Sequence, residues 1–495
     1  MKNEIRKKIV IAGGGSAGWM AGAALAKTFG QVFDIVLIES EAIGTVGVGE
    51  ATIPPLKKFN NIVGVTESEF MKKTKGTFKL GIKFEGWKNK DHAYFHSFGV
   101  TGVDHWSCTF NHFWKNGIGR GHNQPYDDYC LENVAARQEK FSHLPDEKMH
   151  YAFHFDSAQY ASFLRSVAEN HGAERIEGKI EQVNLDEKKE RILSLSLADG
   201  STIKGDFFID CTGFRALLIG DALGSEFEDW SHYLPCDSAI AIQTKSVREP
   251  LPFTRSVAHE AGWQWRIPLQ HRTGNGIVYC SKFMSQDEAL NKIKSTVDGE
   301  IITEPNFIKF KTGIRKRQWV GNCVAVGLSS GFMEPLESTS IHLIQKNILR
   351  LIQLMPKADI NRQEIDFFNK QATDDWLSIR DFLILHYVAN ERDEPFWKSC
   401  ASMNIPDTLE RKIGLFRETG TVFRENEELF AENSWIQVMM GQGIEPDDSH
   451  PLADKMSDEE LDKFLSSIRT NINKTVETLP SHEKYISNYC AAGEN

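Results

Sequence analysis

Lys7-Lys8-Ile9-Val10-Ile11-Ala12-Gly13-Gly14-Gly15-Ser16-Ala17-Gly18 is the stretch on which the fold turns. Lys7 to Ala12 is a short β-branched run, the pattern of a buried parallel strand. The glycines follow at once, and Trp19 to Phe29 is alanine-rich, a helix that Gly30 can close. Asp34 to Ile38 is a second apolar strand and ends in Glu39. Together they make a β-α-β unit of the size that binds dinucleotides. Gly13-x-Gly15-x-x-Gly18 lets backbone amides approach a pyrophosphate at a helix start, where roughly half a positive charge favours the anion. Glu39 can accept hydrogen bonds from ribose hydroxyls. This motif alone does not choose between FAD and NAD.

At 495 residues the chain exceeds one small core, so one large globule of two closely packed parts is expected. Its 41% hydrophobic and 25% charged residues are ordinary for a water-soluble protein. A formal charge of −11, with no long basic block, argues against nucleic acid or an anionic membrane as the main partner. The eight cysteines form no C-x-x-C pair and no compact cluster, which predicts buried thiols in a reducing compartment and no metal site. Basic residues before an apolar run at the N-terminus imitate a signal peptide, but Gly13, Gly14, Gly15 and Gly18 interrupt that run. No apolar run approaches the ~20 residues needed to span a bilayer, and a cytoplasmic protein is expected.

Further along, Ile43 to Pro55 is a Gly/Pro-rich loop. Thr77 to Phe84 alternates as one strand, with Phe78, Leu80, Ile82 and Phe84 on one face and Lys79, Gly81 and Lys83 on the other. Asp206 to Cys211 and Asn322 to Val326 are two more strands of the buried type. From Ser338 onward, Ile341, Ile344, Ile348, Leu351 and Ile352 form the stripe of an amphipathic helix, stopped near Pro356. The remainder is mainly helices and loops, without repeats.

Asp210-Cys211-Thr212-Gly213, at a strand end, resembles the second fingerprint of two-part flavoprotein monooxygenases, which tips the cofactor to FAD. Four further segments resemble the flavin-dependent tryptophan and indole halogenases over nearly the whole chain. Trp263-Gln264-Trp265-Arg266-Ile267-Pro268 is similar to that family's W-x-W-x-I-P element. Thr77 to Phe84 resembles the segment carrying its active-site lysine, and Gly331 to Thr339 the segment carrying its active-site glutamate. Val46 to Thr52 looks like the loop that links its flavin and substrate sites.

The resemblance implies an α/β fold: an FAD-binding Rossmann-like domain over residues 1–350, with substrate-facing segments inserted at about 77–150 and 230–310, and a mainly helical substrate-binding part over 351–495. It also implies an enzyme that uses reduced FAD, oxygen and a halide to make hypohalous acid, which travels to an aromatic substrate. FAD would meet Gly13, Gly15, Ser16, Ala17, Gly18, Glu39, Ile43, Gly49, Ala51, Leu328 and Ile341. Trp263, Trp265, Ile267 and Pro268 would wall the passage; by composition alone they are core packing. Strand alternation puts Lys79 and Lys83 on one face and cannot choose between them; the resemblance picks Lys79 to hold and polarise the oxidant. It picks Glu337 to stabilise the cationic ring and take its proton, with Glu334 as competitor.

Thr339 and Ser340 would present two amides to the halide. The family's usual glycine is Ser340 here, which alters local shape and points to bromide over chloride. His96-Ser97-Phe98 matches a pair that contacts indole, and His96 and Phe98 would touch the substrate together with Glu337. Arg417 to Gly443 lacks the Tyr-Tyr pair that clamps a free amino acid in tryptophan-specific members, so an indole-type molecule is favoured. No second nucleotide unit is evident, so a separate flavin reductase would supply reduced FAD to a monomer or homodimer. The rival readings are a flavin hydroxylase, which has no use for Lys79, and a non-catalytic FAD-binding descendant.

Overall fold

The computed structural model describes residues 6–42, 49–356 and 359–493. Ile43 and the Val46–Val48 part of the linking loop lie outside the described residues.

A six-stranded sheet runs in the order Trp319–Val320, Cys323–Ala325, Phe207–Asp210, Lys8–Ala12, Asp34–Glu39, Glu174–Glu177. Lys8–Ala12 pairs in parallel with Asp34–Glu39 and Phe207–Asp210, Ala12 lying between Ile38 and Asp210. Its continuous apolar run has a direct cause. Ile9 and Ile11 point into one core and Val10 and Ala12 into another, so both faces are covered. The small residues of helix Ser16–Phe29 let it lie close to the sheet and to helix Ser157–Asn170.

A second sheet of seven strands runs Asn306–Lys309, Ser238–Thr244, Thr273–Tyr279, Gly262–Pro268, Thr254–His259, Gly81–Glu85, Ala93–Ser97. It is antiparallel except where Thr254–His259 meets Gly81–Glu85. A separate three-stranded sheet is made of Gly49–Ala51, Ala152–Asp156 and Thr77–Lys79, its first strand against Gly262–Pro268 and Thr273–Tyr279 of the second sheet. Helices Arg362–Val388, Asp407–Thr419, Glu432–Gly441 and Asp458–Thr478 carry much of the C-terminal third. Among the described residues no helix is long and apolar enough to cross a membrane.

Two sequence expectations change here. Gly49–Ala51, read as loop, is a paired strand. Thr77 to Phe84 is two strands, not one. Thr77–Lys79 pairs with Ala152–Asp156, whereas Gly81–Glu85 pairs with Ala93–Ser97 and Thr254–His259. Between them the Leu80 amide donates to the Pro252 carbonyl at 2.7 Å. Lys79 and Lys83 therefore belong to different sheets. Lys79 is 0% exposed and Lys83 only half-buried, a distinction that alternation along a single strand could not make.

Candidate active site

A cavity of about 890 Å³ lies at the C-terminal ends of the parallel strands. Gly13, Gly15, Ser16 and Ala17 line it at the start of helix Ser16–Phe29, which no side chain caps, so its first amides face inward. Gly13 has φ +108°, and a Cβ there would sit 2.3 Å from the Cys211 carbonyl oxygen. Gly18 does not line the cavity; it lets the helix pass over the Gly13 carbonyl, which a Cβ would approach to 1.8 Å. Glu39 reaches the cavity from its strand end, held by Arg175 Nε at 2.5 Å and Trp19 Nε1 at 3.2 Å. Gly213 also lines it, and the buried Asp210 carboxylate organises the turn around it. That carboxylate accepts from the Thr212, Leu218 and Ile219 amides and from the Ser329 hydroxyl. An uncapped helix start, open space at Gly15 and an acidic strand end fit a dinucleotide cofactor.

The far wall of this cavity combines Gly49 and Ala51 with Trp263, Trp265 and Ile267. Pro268 stands outside it, its carbonyl accepting from the Thr77 hydroxyl at 2.7 Å. Leu328, Thr339, Ser340 and Ile341 complete the lining. Thr339 is the N-cap of helix Ser340–Gln353 and makes no side-chain cap, so the helix start is open to the cavity. Glu50 also lines it, and burial pushes its carboxyl up to about 7.

Ser338 joins this cavity to a second cluster. It lines the cavity in the left-handed conformation (φ 60°), and its hydroxyl accepts from Lys79 Nζ at 2.8 Å. Lys79 also donates to the Thr52 carbonyl at 3.0 Å and lies 5.2 Å from the centre of the Phe98 ring. Burial lowers its pKa from 10.5 to about 7, against the opposing pull of Glu337. Glu337 is 1% exposed. Its carboxylate meets His96 Nδ1 at 2.9 and 3.0 Å, and His386 Nε2 lies 2.9 Å from Oε1. Burial alone would raise its pKa, but the two imidazoles outweigh that and bring it down to about 2. A base and an amine, both dry, thus stand just behind one wall of a dinucleotide cleft.

The tryptophan halogenase family model matches residues 8–458. Tryptophan 7-halogenase RebH of Lentzea aerocolonigenes is 34% identical, the alignment covering 97% of this chain and 98% of that protein. The chain belongs to the tryptophan halogenase family, enzymes of the flavin-dependent halogenase type. Two solved flavin-dependent halogenases are similar in structure. One, from Xanthomonas campestris, has a TM-score of 0.98 at 52% identity, covering 99% of this chain and 100% of that one. The other, BrvH from Brevundimonas sp. BAL3, has a TM-score of 0.94 at 40% identity, covering 98% and 99%.

In this halogenase Lys79, His96, Phe98 and Glu337 come together, whereas Glu334 turns away. Glu334 is buried, accepts from Trp263 Nε1 at 2.7 Å and the Tyr387 hydroxyl at 2.5 Å, and so ties the Trp-rich strand to helix Arg362–Val388. Glu337 sits on a single 3-10 turn, Pro335–Glu337, against His96 and His386. Sequence reading missed three neighbours: Ser338, His386 and Phe382. Ser338 lay inside the quoted glutamate segment, but its left-handed backbone leaves no mark on the sequence. His386 and Phe382 occupy a long helix whose apolar pattern looks like plain packing.

Proposed function

We propose that this halogenase uses reduced FAD, dioxygen and a halide, bromide or chloride, to halogenate an indole-type aromatic ring. The observation that carries the reading is the Lys79–Ser338 hydrogen bond, which sets a buried amine beside Glu337 directly behind the dinucleotide cleft. When bound in reduced form, the flavin would supply, with dioxygen, the oxidising equivalent that converts halide to hypohalous acid. Gly13, Gly15, Ser16 and Ala17 would hold its pyrophosphate and Glu39 a ribose, with Gly49, Ala51, Leu328 and Ile341 against the rest. A separate flavin reductase would provide it. The Thr339 and Ser340 amides would hold the halide at the open helix start.

Lys79 uses two of its three N–H directions on Thr52 and Ser338. The third N–H, or the lone pair of the neutral amine, remains to hold and polarise hypohalous acid. The ring attacked would lie between Phe98, His96 and Glu337, whose carboxylate stabilises the cationic ring and then takes its proton. Trp263, Trp265 and Ile267 would keep that ring away from the flavin. Phe430, from the stretch that lacks a Tyr-Tyr pair, stacks on Phe382 at 3.8 Å and lies 6.1 Å from His96. An apolar lid of that kind suits indole better than the charged end of free tryptophan. Residues 1–350 would carry the flavin and residues 351–495 the outer wall of the substrate chamber.

The test is incubation with a flavin reductase, FAD, NADH, bromide and a panel of indoles, with products read by mass spectrometry. Halide-dependent product that disappears in Lys79→Met is expected. Hydroxylated product persisting in that variant would overturn the reading.

A further inference from the structure

Glu337 faces a difficulty that its neighbour Glu334 shows. Both are buried, three residues apart. Among the described residues Glu334 accepts hydrogen bonds only from the neutral donors Trp263 and Tyr387, and its carboxyl is pushed up by burial to about 7. A carboxyl in that condition carries its proton for much of the time near neutrality and is a poor base. Something must keep Glu337 different.

His386 is held in one proton arrangement by helix Arg362–Val388. Its Nδ1 lies 2.9 Å from the Phe382 carbonyl oxygen, which can only accept, so Nδ1 carries a hydrogen. Nε2 therefore faces Glu337 Oε1, and at 2.9 Å two lone pairs would repel unless one of the two atoms carries a proton. The contact is bent, an ion-pair contact more than a linear hydrogen bond. Phe84, Trp87 and Phe382 surround the ring, with centroids 4.8, 6.1 and 5.3 Å away, and the residue is 0% exposed. Nothing else reaches Nε2: among the described residues it has no hydrogen-bond partner.

We propose that His386 is a positioning residue that keeps this proton on its own Nε2 as an imidazolium, so that Glu337 stands as a carboxylate when the halogenated ring needs a base. The inference rests on Glu337 being that base. Oε1 is shared by both imidazoles, while among the described residues Oε2 touches only His96, which leaves Oε2 for the substrate. In the step, the ring C–H bond breaks, its electron pair restores aromaticity, and the proton bonds to Oε2. The proton leaves to solvent with the product. Other groups act on Glu337 from each side: His96 and the buried Tyr94 hydroxyl from strand Ala93–Ser97, and Lys79 from strand Thr77–Lys79. Tyr94 stays neutral because burial raises its pKa, and Lys79 titrates near neutrality, so neither replaces the imidazoles; His96, bonded to both oxygens, acts in the same direction as His386.

The experiment uses the full chain labelled with nitrogen-15 histidine. In the wild type at pH 7.5, the histidine whose ring protons contact Phe84 and Trp87, which marks it as His386 rather than His96, should show both ring nitrogens protonated, and Glu337→Gln should move that resonance. A His386 neutral at Nε2 would overturn the proposal, and this measurement needs no His386 variant to fold. The second arm is His386→Gln, a neutral donor. Infrared titration should show a new protonated carboxyl that is absent in the Glu337→Gln, His386→Gln double variant. Its midpoint should lie at about pH 7, as for the equally buried Glu334, so that halogenation falls about tenfold at pH 6 and recovers by pH 8.5. An equal loss at all pH values, with no new carboxyl band, would mark a merely structural role and refute the inference. If instead Glu337→Gln alone keeps full halogenation, the assignment of Glu337 as base fails, whatever the state of His386.

Discussion

Lys79→Met exchanges a buried amine for an apolar chain of similar length, and its effect on stability can be worked out. The folded lysine has a pKa of about 7, lowered from 10.5 by burial. Between these values the unfolded chain binds one more proton than the folded one, so wild-type stability rises with pH across that window. The slope is ~1.4 kcal/mol per pH unit, about 5 kcal/mol in all, and the whole penalty is present below pH 7. Methionine has no such slope. It does leave the Thr52 carbonyl and the Ser338 hydroxyl without a donor, at ~1–3 kcal/mol each. The variant should therefore range from slightly less stable to ~3 kcal/mol more stable than wild type at pH 7. By pH 9 the comparison should move ~3 kcal/mol in favour of wild type. Denaturant unfolding read by tryptophan fluorescence at pH 6, 7, 8 and 9 measures the gap; titrating groups other than Glu337 and His154, which feel the Lys79 charge, cancel between the two proteins. Halogenation should be lost throughout, by at least ~100-fold. A gap that stays flat from pH 7 to 9 would refute the picture of a strongly desolvated lysine.

Gly18→Ala places a Cβ 1.8 Å from the Gly13 carbonyl oxygen, so the first turn must shift; FAD binding by equilibrium dialysis should be lost while the far-ultraviolet dichroism stays near wild type. Glu334 has a folded pKa raised from 4.5 to about 7, so its contribution to stability is full below pH 4.5 and declines as pH rises through 7. Glu334→Gln keeps a carbonyl for Trp263 and Tyr387 without the charge, and thermal melts should show it gaining on wild type between pH 5 and 8. With equimolar bromide and chloride, Ser340 at the helix start leads us to expect mostly brominated product by mass spectrometry; mainly chlorinated product would refute that preference.

The parts of this protein written in local pattern were legible. The strand, glycine turn and helix at Lys8 to Phe29 follow from β-branched and small residues in sequence order, and the structure keeps them, the helix starting three residues earlier, at Ser16. Helix Ser340–Gln353 likewise buries Ile341, Ile344, Ile348 and Leu351 as its stripe requires. What failed was anything set by a change of partner. Thr77 to Phe84 alternates as well as any strand, yet the chain leaves one sheet for another at Leu80 and sends Lys79 into the interior. No local pattern records which sheet a residue joins. The choice of Lys79 over Lys83 came from resemblance; its burial is what physics can now supply.

The glutamates make the same point about chemistry. Glu334 and Glu337 share a segment, a residue type and near-total burial, so sequence could not rank them. Their environments do. Two neutral donors leave Glu334 with burial as the dominant effect and a pKa of about 7, while two imidazoles overcome burial at Glu337 and bring it to about 2. Carboxyls pushed apart in this way suit different roles: one a strut that keeps its proton into the neutral range, the other the proposed base. The partners that push them apart are Trp263, His96, Tyr387 and His386, drawn from two strands and a helix far apart in the chain. The short turn between the glutamates decides which partners each can meet. Pro335 starts it, and Ser338 ends it in a left-handed conformation that also catches Lys79. A carboxylate held by two imidazoles and an amine anchored to the cleft wall are thus consequences of one bend in the backbone.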